Sequence, residues 1–205
     1  MSDFGSRYVL ATANPGKIKE MQMILSGLGI ELVTRADLGI NMEIEETGAT
    51  FFENARLKAK AICKVSGLPS IADDSGLIVD ALDGRPGVYA SSLGGVELTA
   101  EERCRYLLGL MENMEQREAK FVCTIVCVFP DGKLISADGS CSGTITTALK
   151  GSGGFGYDPV FKPDGFDKTM AELGAEEKNA ISHRGMALRN FSEVLKSSVR
   201  EGVCL

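Results

Sequence analysis

The sequence is poor in the features that mark zinc-binding and membrane proteins. Its 205 residues include one histidine and no Cys-x-x-Cys pair, so the usual zinc ligand sets cannot be completed. We interpret the six cysteines as reduced thiols. The longest apolar run is far shorter than the ~18 residues that span a bilayer, and the N-terminal residues lack the apolar core of a signal peptide. We therefore expect a cytoplasmic protein with no membrane partner.

The chain also has fewer basic than acidic residues, 22 against 28. The formal net charge is -6, whereas proteins that bind nucleic acid generally present basic stripes to the polyanion. We expect no nucleic-acid partner, and any phosphate-binding site must be local. Hydrophobic residues make up 44% of the chain and are mixed with charge, without a low-complexity tract. We expect residues 1–205 to fold as one domain, with one lobe or two.

The spacing of apolar residues predicts an α/β chain. Short apolar runs predict strands at residues 8–11, 31–34, 70–72 and 77–79, and a hairpin of 121–129 with 133–137. Helical spacing predicts helices after Gly16, along the stripe 52–62 that Gly67 ends, after the capping box at 99–102, and along 186–195. This pattern places the acidic pair at 73–74 at a strand end.

The first candidate site is the loop that follows the first predicted strand. Residues 11–17, Ala-Thr-Ala-Asn-Pro-Gly-Lys, stand before a helix, where backbone N–H groups and the helix dipole attract anions. Lys17 adds a full positive charge. The loop is not a P-loop, because Ala11 replaces the first glycine and Ile18 replaces the hydroxyl residue that binds magnesium. The alternative interpretation is a plain strand-to-helix turn.

The second candidate is the acidic pair Asp73 and Asp74. Without a hydroxyl ligand in the loop, magnesium on a triphosphate would need carboxylate oxygens, which that ion prefers. Adjacent strand residues point to opposite faces, so we expect Asp74 to face the site while Asp73 hydrogen-bonds to backbone. Glu45 and Glu46 are candidates for a second metal contact. The alternatives are an exposed Asp-Asp-Ser-Gly turn and a solvated acidic loop.

The third candidate lies late in the chain. Residues 151–156 match G-x-G-x-x-G but lead into Tyr-Asp-Pro and not into a helix, so we reject a dinucleotide-binding fold. The glycines would let the backbone approach a ligand while Phe155 offers a stacking surface; the alternative is a flexible surface loop. Lys178, His183 and Arg184 place nitrogen donors near a helix start, which suits a phosphate or the carbonyl edge of a base. A structural histidine is the alternative for His183.

Taken in order, these segments resemble the inosine triphosphate pyrophosphatase family, also called XTP/dITP diphosphatases, across residues 8–195. The first four motifs are Ala-Thr-Ala-Asn-Pro-Gly-Lys at 11–17, Glu-Glu-Thr-Gly at 45–48, Thr-Phe-Phe-Glu-Asn-Ala at 50–55 and Ile-Ala-Asp-Asp-Ser-Gly at 71–76. The last two are Gly-Gly-Phe-Gly-Tyr-Asp-Pro at 153–159 and Glu-Lys-Asn-Ala-Ile-Ser-His-Arg at 177–184. Six ordered motifs are far more specific than any one of them.

The resemblance implies hydrolysis of ITP, dITP and XTP between the α and β phosphates, which yields a nucleoside monophosphate and diphosphate and cleanses the nucleotide pool. It also implies Mg2+ as cofactor and a homodimer. The implied fold is one elongated, two-lobed domain with a mixed β-sheet flanked by helices. The implied active site lies in the cleft between the lobes.

The resemblance also implies roles for individual residues. Asp74 would be the proton acceptor and a metal ligand, Glu46 a second metal ligand, and Lys17 would neutralise charge in the transition state. The implied substrate-binding residues are Thr12, Ala13, Asn14, Pro15, Gly16, Lys17, Lys58, Ser75, Phe155, Gly156, Tyr157, Asp158, Lys178, His183 and Arg184. Phe155 would stack on the base, and the last three would donate to its carbonyl edge. An adenine 6-amino group would leave such donors unpaired.

One segment departs from the family pattern. After Gly87-Val88-Tyr89 the family usually has Ser-Ala-Arg, whereas this chain has Ala90-Ser91-Ser92. The missing arginine motivates a second hypothesis, a purine-nucleotide-binding regulator with impaired catalysis. A γ-phosphatase of the P-loop type is the third, and Ile18 argues against it because the metal-binding hydroxyl is missing.

Overall fold

The computed structural model describes residues 7–200. These residues form α-helices, short 3-10 turns and one mixed β-sheet, so the predicted α/β class is confirmed. The strands are β1 Arg7–Leu10, β2 Glu31–Thr34, β3 Ser70–Val79, β4 Pro86–Gly87, β5 Glu118–Val128, β6 Leu134–Ile145 and β7 Phe161–Pro163. The helices are α1 Pro15–Leu25, α2 Phe51–Ser66, α3 Ala100–Leu110, α4 Ala175–Ile181 and α5 His183–Arg200.

The sheet has the strand order β2-β1-β3-β5-β6-β7, with β4 paired to β3. Strand β1 lies parallel to β2 and β3, while β3 pairs with β4 and β6 with β7 in the antiparallel direction. The chain divides into two compact units. Unit 1 comprises the residues up to 74, 123–139 and those from 184 on; unit 2 comprises 75–122 and 140–183. The expectation of a single domain with two lobes stays a prediction.

In unit 1 the sheet carries a separate apolar core on each face. Because side chains alternate along a strand, Tyr8 and Leu10 enter a core with helices α1 and α5, while Val9 enters a second core with helix α2. Strand β3 follows the same alternation. Ile71 packs with the first core and Ala72 with the second, so the next two residues, both aspartates, are directed to opposite faces.

Helix α2 is the element that the sequence predicts in most detail. Thr50 and Glu53 form a capping box at its start, and Gly67 ends it in the left-handed conformation with φ 68°. Its apolar stripe, which includes Ala55, Ala59 and Ile62, is buried in unit 1. The capping box at Thr99 that begins α3 is confirmed in the same way.

In unit 2 the second half of β3 packs with α3, β5, β6 and β7 in one apolar core. Leu77, Leu107, Phe121, Ile145 and Phe161 are all buried in it. The sequence did not predict the strands β4 and β7, because two or three residues are too few to show a periodic pattern. Helix α4 was not predicted either, because it is short and partly polar.

The expected strand end at residues 73–74 is wrong. Strand β3 runs without interruption through Asp73, Asp74, Ser75 and Gly76, and the two aspartates are only 1% and 6% exposed. The alternative of an exposed turn is therefore also excluded. Turn-forming residues stay in a buried strand here because neighbouring cations and an amide neutralise or hydrogen-bond both carboxylates.

The cysteines behave as expected where they are described. Cys63, Cys104, Cys123, Cys127 and Cys141 are buried free thiols, and burial raises the pKa of Cys123 to about 12. Cys204 and the N-terminal residues 1–6 lie outside the described residues. No helix among residues 7–200 is long and apolar enough to cross a membrane.

Candidate active site

The predicted phosphate loop is a capped strand-to-helix turn. Asn14 is the N-cap of α1, and its side-chain oxygen accepts the N–H groups of Gly16 at 2.9 Å and Lys17 at 3.2 Å. The Thr12 hydroxyl accepts the N–H of Asn14 at 3.1 Å. Two N–H groups at this helix start are therefore satisfied within the loop. The attraction for an anion comes from the helix dipole and from the charge of Lys17.

Asp73 holds an ion-pair network on one face of β3. Its Oδ2 accepts from Lys17 Nζ and from Arg184 Nε, both at 3.0 Å, and Arg184 Nη1 reaches Glu20 at 2.7 Å. Burial alone would raise the pKa of Asp73, but Lys17, Arg184 and Lys58 hold it well below its usual range. The expectation that Asp73 hydrogen-bonds to backbone is wrong, because α1 and α5 direct two cationic side chains onto this face.

Arg184 is one of the most enclosed side chains of unit 1. The two carboxylates of Asp73 and Glu20 outweigh the effect of burial and raise its pKa. Two of its nitrogens thus serve this network. The charges of this network alternate in the order Lys17, Asp73, Arg184 and Glu20. The ion pair with Asp73 holds the ammonium group of Lys17, which belongs to the predicted phosphate loop.

Asp74 occupies the opposite face of β3, where α2 packs. Lys58 Nζ donates to its Oδ1 at 3.1 Å, and Asn54 Nδ2 donates to its Oδ2 at 3.3 Å. Lys58 also donates to Glu46 at 2.7 Å. Asn54 and Lys58 lie one turn apart on α2, so both reach the same carboxylate. The predicted division between Asp73 and Asp74 into opposite faces is therefore observed.

The electrostatics of this group follow from its burial. Burial raises the pKa of Asp74 above its ordinary value, with Glu46 adding to the shift and the ammonium groups of Lys58 and Lys17 opposing it. Burial lowers the pKa of Lys58, but Asp74, Asp73 and Glu46 outweigh that effect and raise it. A buried carboxylate that is held by fixed neighbours and has a raised pKa accepts a proton more readily than an ordinary aspartate.

The same residues offer carboxylate oxygens, which are the ligands that a magnesium ion prefers. The residues that the structure describes contain no cluster of three or more His, Cys, Asp and Glu side chains. Magnesium commonly takes only one or two protein carboxylates and fills its other positions with water and substrate phosphate. Asp74 and Glu46 contact one shared ammonium group, so their oxygens lie close enough to face a single cation.

A second group of predicted residues forms around Asp158 in unit 2. Asp158 Oδ2 accepts a hydrogen bond from the backbone N–H of Phe155 at 2.8 Å and forms an ion pair with Lys178 Nζ at 2.7 Å. Lys178 Nζ also lies 4.6 Å from the centroid of the Phe155 ring. Gly154, at φ 68°, permits this arrangement, because a Cβ there would collide with the Asp158 carboxylate. The predicted glycine loop is thus tied to its neighbours by one buried carboxylate.

Two further contacts hold the ends of this loop. The Cys104 thiol donates to the carbonyl of Gly156 at 3.3 Å, and the Tyr157 hydroxyl donates to the carbonyl of Ala90 at 2.7 Å. Ala90 begins the segment that lacks the family arginine. The segment is thereby anchored to the loop, although the structure does not identify what replaces the arginine.

The three predicted nitrogen donors differ in their surroundings. Lys178 joins Asp158 and Phe155, whereas the His183 ring stacks on Phe121 with 4.6 Å between centroids and 15° between planes. Arg184 belongs to the Asp73 network of unit 1. Ser75 follows Asp74 on β3 and is half-buried.

The sequence did not predict the contact of Phe121 with His183, the ion pair of Glu20, or the ion pairs of Asp73. Only Glu20 gave a usable signal, because it lies three residues after Lys17 on the same helix face.

Comparison with known proteins gives one consistent result. The model of the Ham1 family matches residues 8–194. The chain is 50% identical over 194 residues to a dITP/XTP pyrophosphatase of Thermus thermophilus, covering 94% of this chain and 93% of the relative. It is 48% identical to the enzyme of the same name from Aquifex aeolicus, covering 93% and 97%. A solved HAM1 protein of Coxiella burnetii superimposes with a TM-score of 0.86 at 40% identity, covering 93% and 98%.

Proposed function

This chain belongs to the Ham1 family, and from that premise we propose that it is a nucleoside triphosphate pyrophosphatase acting on dITP, XTP and ITP. The family relatives named dITP/XTP pyrophosphatase, which align along nearly the whole chain, support the substrate class. The observation that carries the chemistry is the buried Asp74 carboxylate, held between Lys58 and Asn54. Cleavage between the α and β phosphates yields the nucleoside monophosphate and diphosphate.

In this proposal Asp74 accepts a proton from the attacking water. Its raised pKa favours proton uptake, and its two oxygens are already oriented by neighbours on α2. Lys17 supplies positive charge to the phosphate oxygens, and its pairing with Asp73 limits the positions that its ammonium group can take. Lys58 adds a second positive charge beside Asp74.

Magnesium is part of the proposal, with Asp74 and Glu46 as its protein ligands. When bound, the ion would offset phosphate charge and help align the triphosphate. Glu46 suits this position because its side chain remains 45% exposed while it contacts Lys58. The residues of the loop at 12–17 then contact the phosphates through the helix start and Lys17.

Recognition of the base rests on the group around Asp158. Phe155 provides the stacking surface, Gly156, Tyr157 and Asp158 line the pocket, and Lys178 donates to a carbonyl oxygen of the base. Fixing Lys178 with Asp158 favours a base that accepts hydrogen bonds at position 6, since an amino group there would leave a buried donor unpaired. Donation by His183 and Arg184 to the base and contact of Ser75 with substrate stay predictions.

Two wider expectations accompany this function. We propose that the enzyme works as a homodimer, which sedimentation equilibrium across a range of protein concentrations will test. We also propose a cytoplasmic location, where it would clear damaged purine nucleotides before polymerases use them. The homodimer follows from the family resemblance, the cytoplasmic location follows from the sequence pattern, and neither rests on a contact in this chain.

A substrate panel tests the proposed reaction. ITP, dITP, XTP and ATP are incubated with Mg2+, and diphosphate and orthophosphate are measured separately. We expect diphosphate equal to the monophosphate formed, and a kcat/KM for ATP lower by about 10- to 100-fold because its amino group leaves a donor unpaired. Release of orthophosphate alone would rule out cleavage between the α and β phosphates. Tight ITP binding without turnover would instead indicate the regulator hypothesis.

The glycine loop gives a second test, at the base. Gly154→Ala should raise KM for ITP by about tenfold, because the new Cβ displaces the Asp158 carboxylate from Phe155 and Lys178. Gly132→Ala is the matched control. Gly132 also has a positive φ, 87°, but its Cβ would meet no atom within 4 Å. Steady-state kinetics should show an unchanged KM for the control; equal KM increases in both variants would indicate backbone strain and not Asp158 displacement.

A further inference from the structure

Asn54 is a buried polar side chain that contacts the Asp74 carboxylate and also a backbone N–H before α2. It lies in the first turns of α2, is only 2% exposed, and contacts two parts of unit 1 at once. Its Oδ1 accepts the backbone N–H of Gly48 at 2.7 Å, and its Nδ2 donates to Asp74 Oδ2 at 3.3 Å. We propose that Asn54 is a positioning residue, which orients the Asp74 carboxylate and ties it to the loop that carries Glu46. This inference rests on the proposed function.

The orientation of the Asn54 amide is determined by its neighbours. The Gly48 N–H can only donate, so the atom that faces it must be the amide oxygen. The NH2 group then necessarily faces Asp74. A carboxylate that receives Lys58 on one oxygen and an amide on the other has little freedom to rotate about its Cβ–Cγ bond. Asn54 therefore supplies the second of the two contacts that set the plane of the Asp74 carboxylate.

The other end of Asn54 acts on the loop before α2. Three successive backbone N–H groups of this loop are bound to side chains of α2: Gly48 to Asn54, and Ala49 and Thr50 to Glu53 at 2.7 and 3.1 Å. Gly48 must be glycine for so close an approach, because a Cβ would lie 2.6 Å from the Glu53 Cβ. Glu46 is only two residues away. One amide thus links both proposed metal-binding carboxylates to the same helix.

Two substitutions separate these functions. Asn54→Asp keeps an oxygen for the Gly48 N–H but cannot donate to Asp74, whereas Asn54→Ala loses both bonds. If Asn54 positions Asp74, both variants should lower kcat for ITP on the order of 10²-fold with little change in KM. Hydrogen exchange at the Gly48 amide, followed by NMR, should remain slow in Asn54→Asp and become fast in Asn54→Ala.

The alternatives give different patterns. If Asn54 only holds the loop, kcat should fall in Asn54→Ala and not in Asn54→Asp; if added negative charge is the cause, only Asn54→Asp should lose activity. Either of these two patterns overturns the proposal. An unchanged kcat in both variants, or a change in KM alone, overturns it as well. Asn54→Ser replaces Asn54→Ala as the uncharged variant if alanine prevents folding, as judged by urea unfolding.

Asn190→Asp provides the matched control. Asn190 is an exposed residue of α5 that donates to the backbone carbonyl of Asp138, so the same chemical change there should leave kcat unaltered. Different results contradict the proposed function and the positioning role of Asn54. A wild-type protein that releases no diphosphate from any purine nucleotide contradicts the proposed function. Active wild-type protein with equally active Asn54 variants contradicts only the positioning role.

Discussion

Asp74→Asn should lower kcat for ITP by about 10²- to 10⁴-fold, the range that a positioned general base contributes. The substitution retains the size of the side chain but removes the group that takes up the proton. The Asp74 carboxylate accepts hydrogen bonds from both the Asn54 NH2 group and Lys58. An asparagine at this position has only one oxygen, so its own NH2 group would face one of these two donors. Steady-state release of diphosphate at saturating ITP and Mg2+ measures the effect.

The control for this variant is Asp138→Asn. Asp138 lies on β6, where its carboxylate accepts from the Thr124 hydroxyl at 2.5 Å, and it has no part in the proposed mechanism. We expect its kcat to stay within about twofold of the wild type, as for most exposed substitutions outside a site. If Asp74→Asn kept more than about a tenth of the wild-type kcat, Asp74 would not be the proton acceptor.

Arg184→Met should lower the free energy of unfolding by about 3–5 kcal/mol, the cost of removing one member of a buried ion pair. The Arg184 guanidinium joins Asp73 and Glu20, and Asp73 would keep only Lys17 as a cationic partner at hydrogen-bond distance. Equilibrium unfolding in urea, monitored by circular dichroism, measures the loss. Binding energy for the base is not involved, so the effect should appear without any nucleotide.

Arg189→Met is the corresponding control on the same helix. Arg189 lies in α5 but is exposed, so we expect a change within about 0.5 kcal/mol. Equal losses in the two variants would show that the Asp73 network contributes little to stability. A large loss in Arg184→Met alone would establish that this arginine serves the fold of unit 1, whatever contact it also makes with a base.

Local chemistry was predictable from the sequence where short-range rules apply. The capping boxes at Thr50 and Thr99, the end of α2 at Gly67 and strand β2 all depend on residues within a few positions of one another. The turn at residues 12–17 was also recognised, although its capping by Asn14 was not. Ordered motifs likewise identified the family before any tertiary contact was known, because six motifs in sequence order are specific without structural context.

The aspartate pair shows where such rules stop. Asp, Asp, Ser and Gly all favour turns, and the sequence therefore indicated a strand end at residues 73–74. In the fold, β3 continues through them because Lys17 and Arg184 neutralise one carboxylate while Lys58 and Asn54 satisfy the other. The compensating residues lie up to 111 positions away along the chain. No local propensity contains that information.

By itself, the sequence determined the α/β class, the helix boundaries set by caps, the family, and the candidates Lys17, Lys58, Asp74, Phe155 and Lys178. The alternation of a strand even assigned Asp73 and Asp74 to opposite faces. Only the tertiary structure decided what each face meets: a network of Lys17, Arg184 and Glu20 on one side, and Asn54 with Lys58 on the other. The physical reason is that a buried charge requires a partner, and the partner's identity depends on which helices the chain packs against that face.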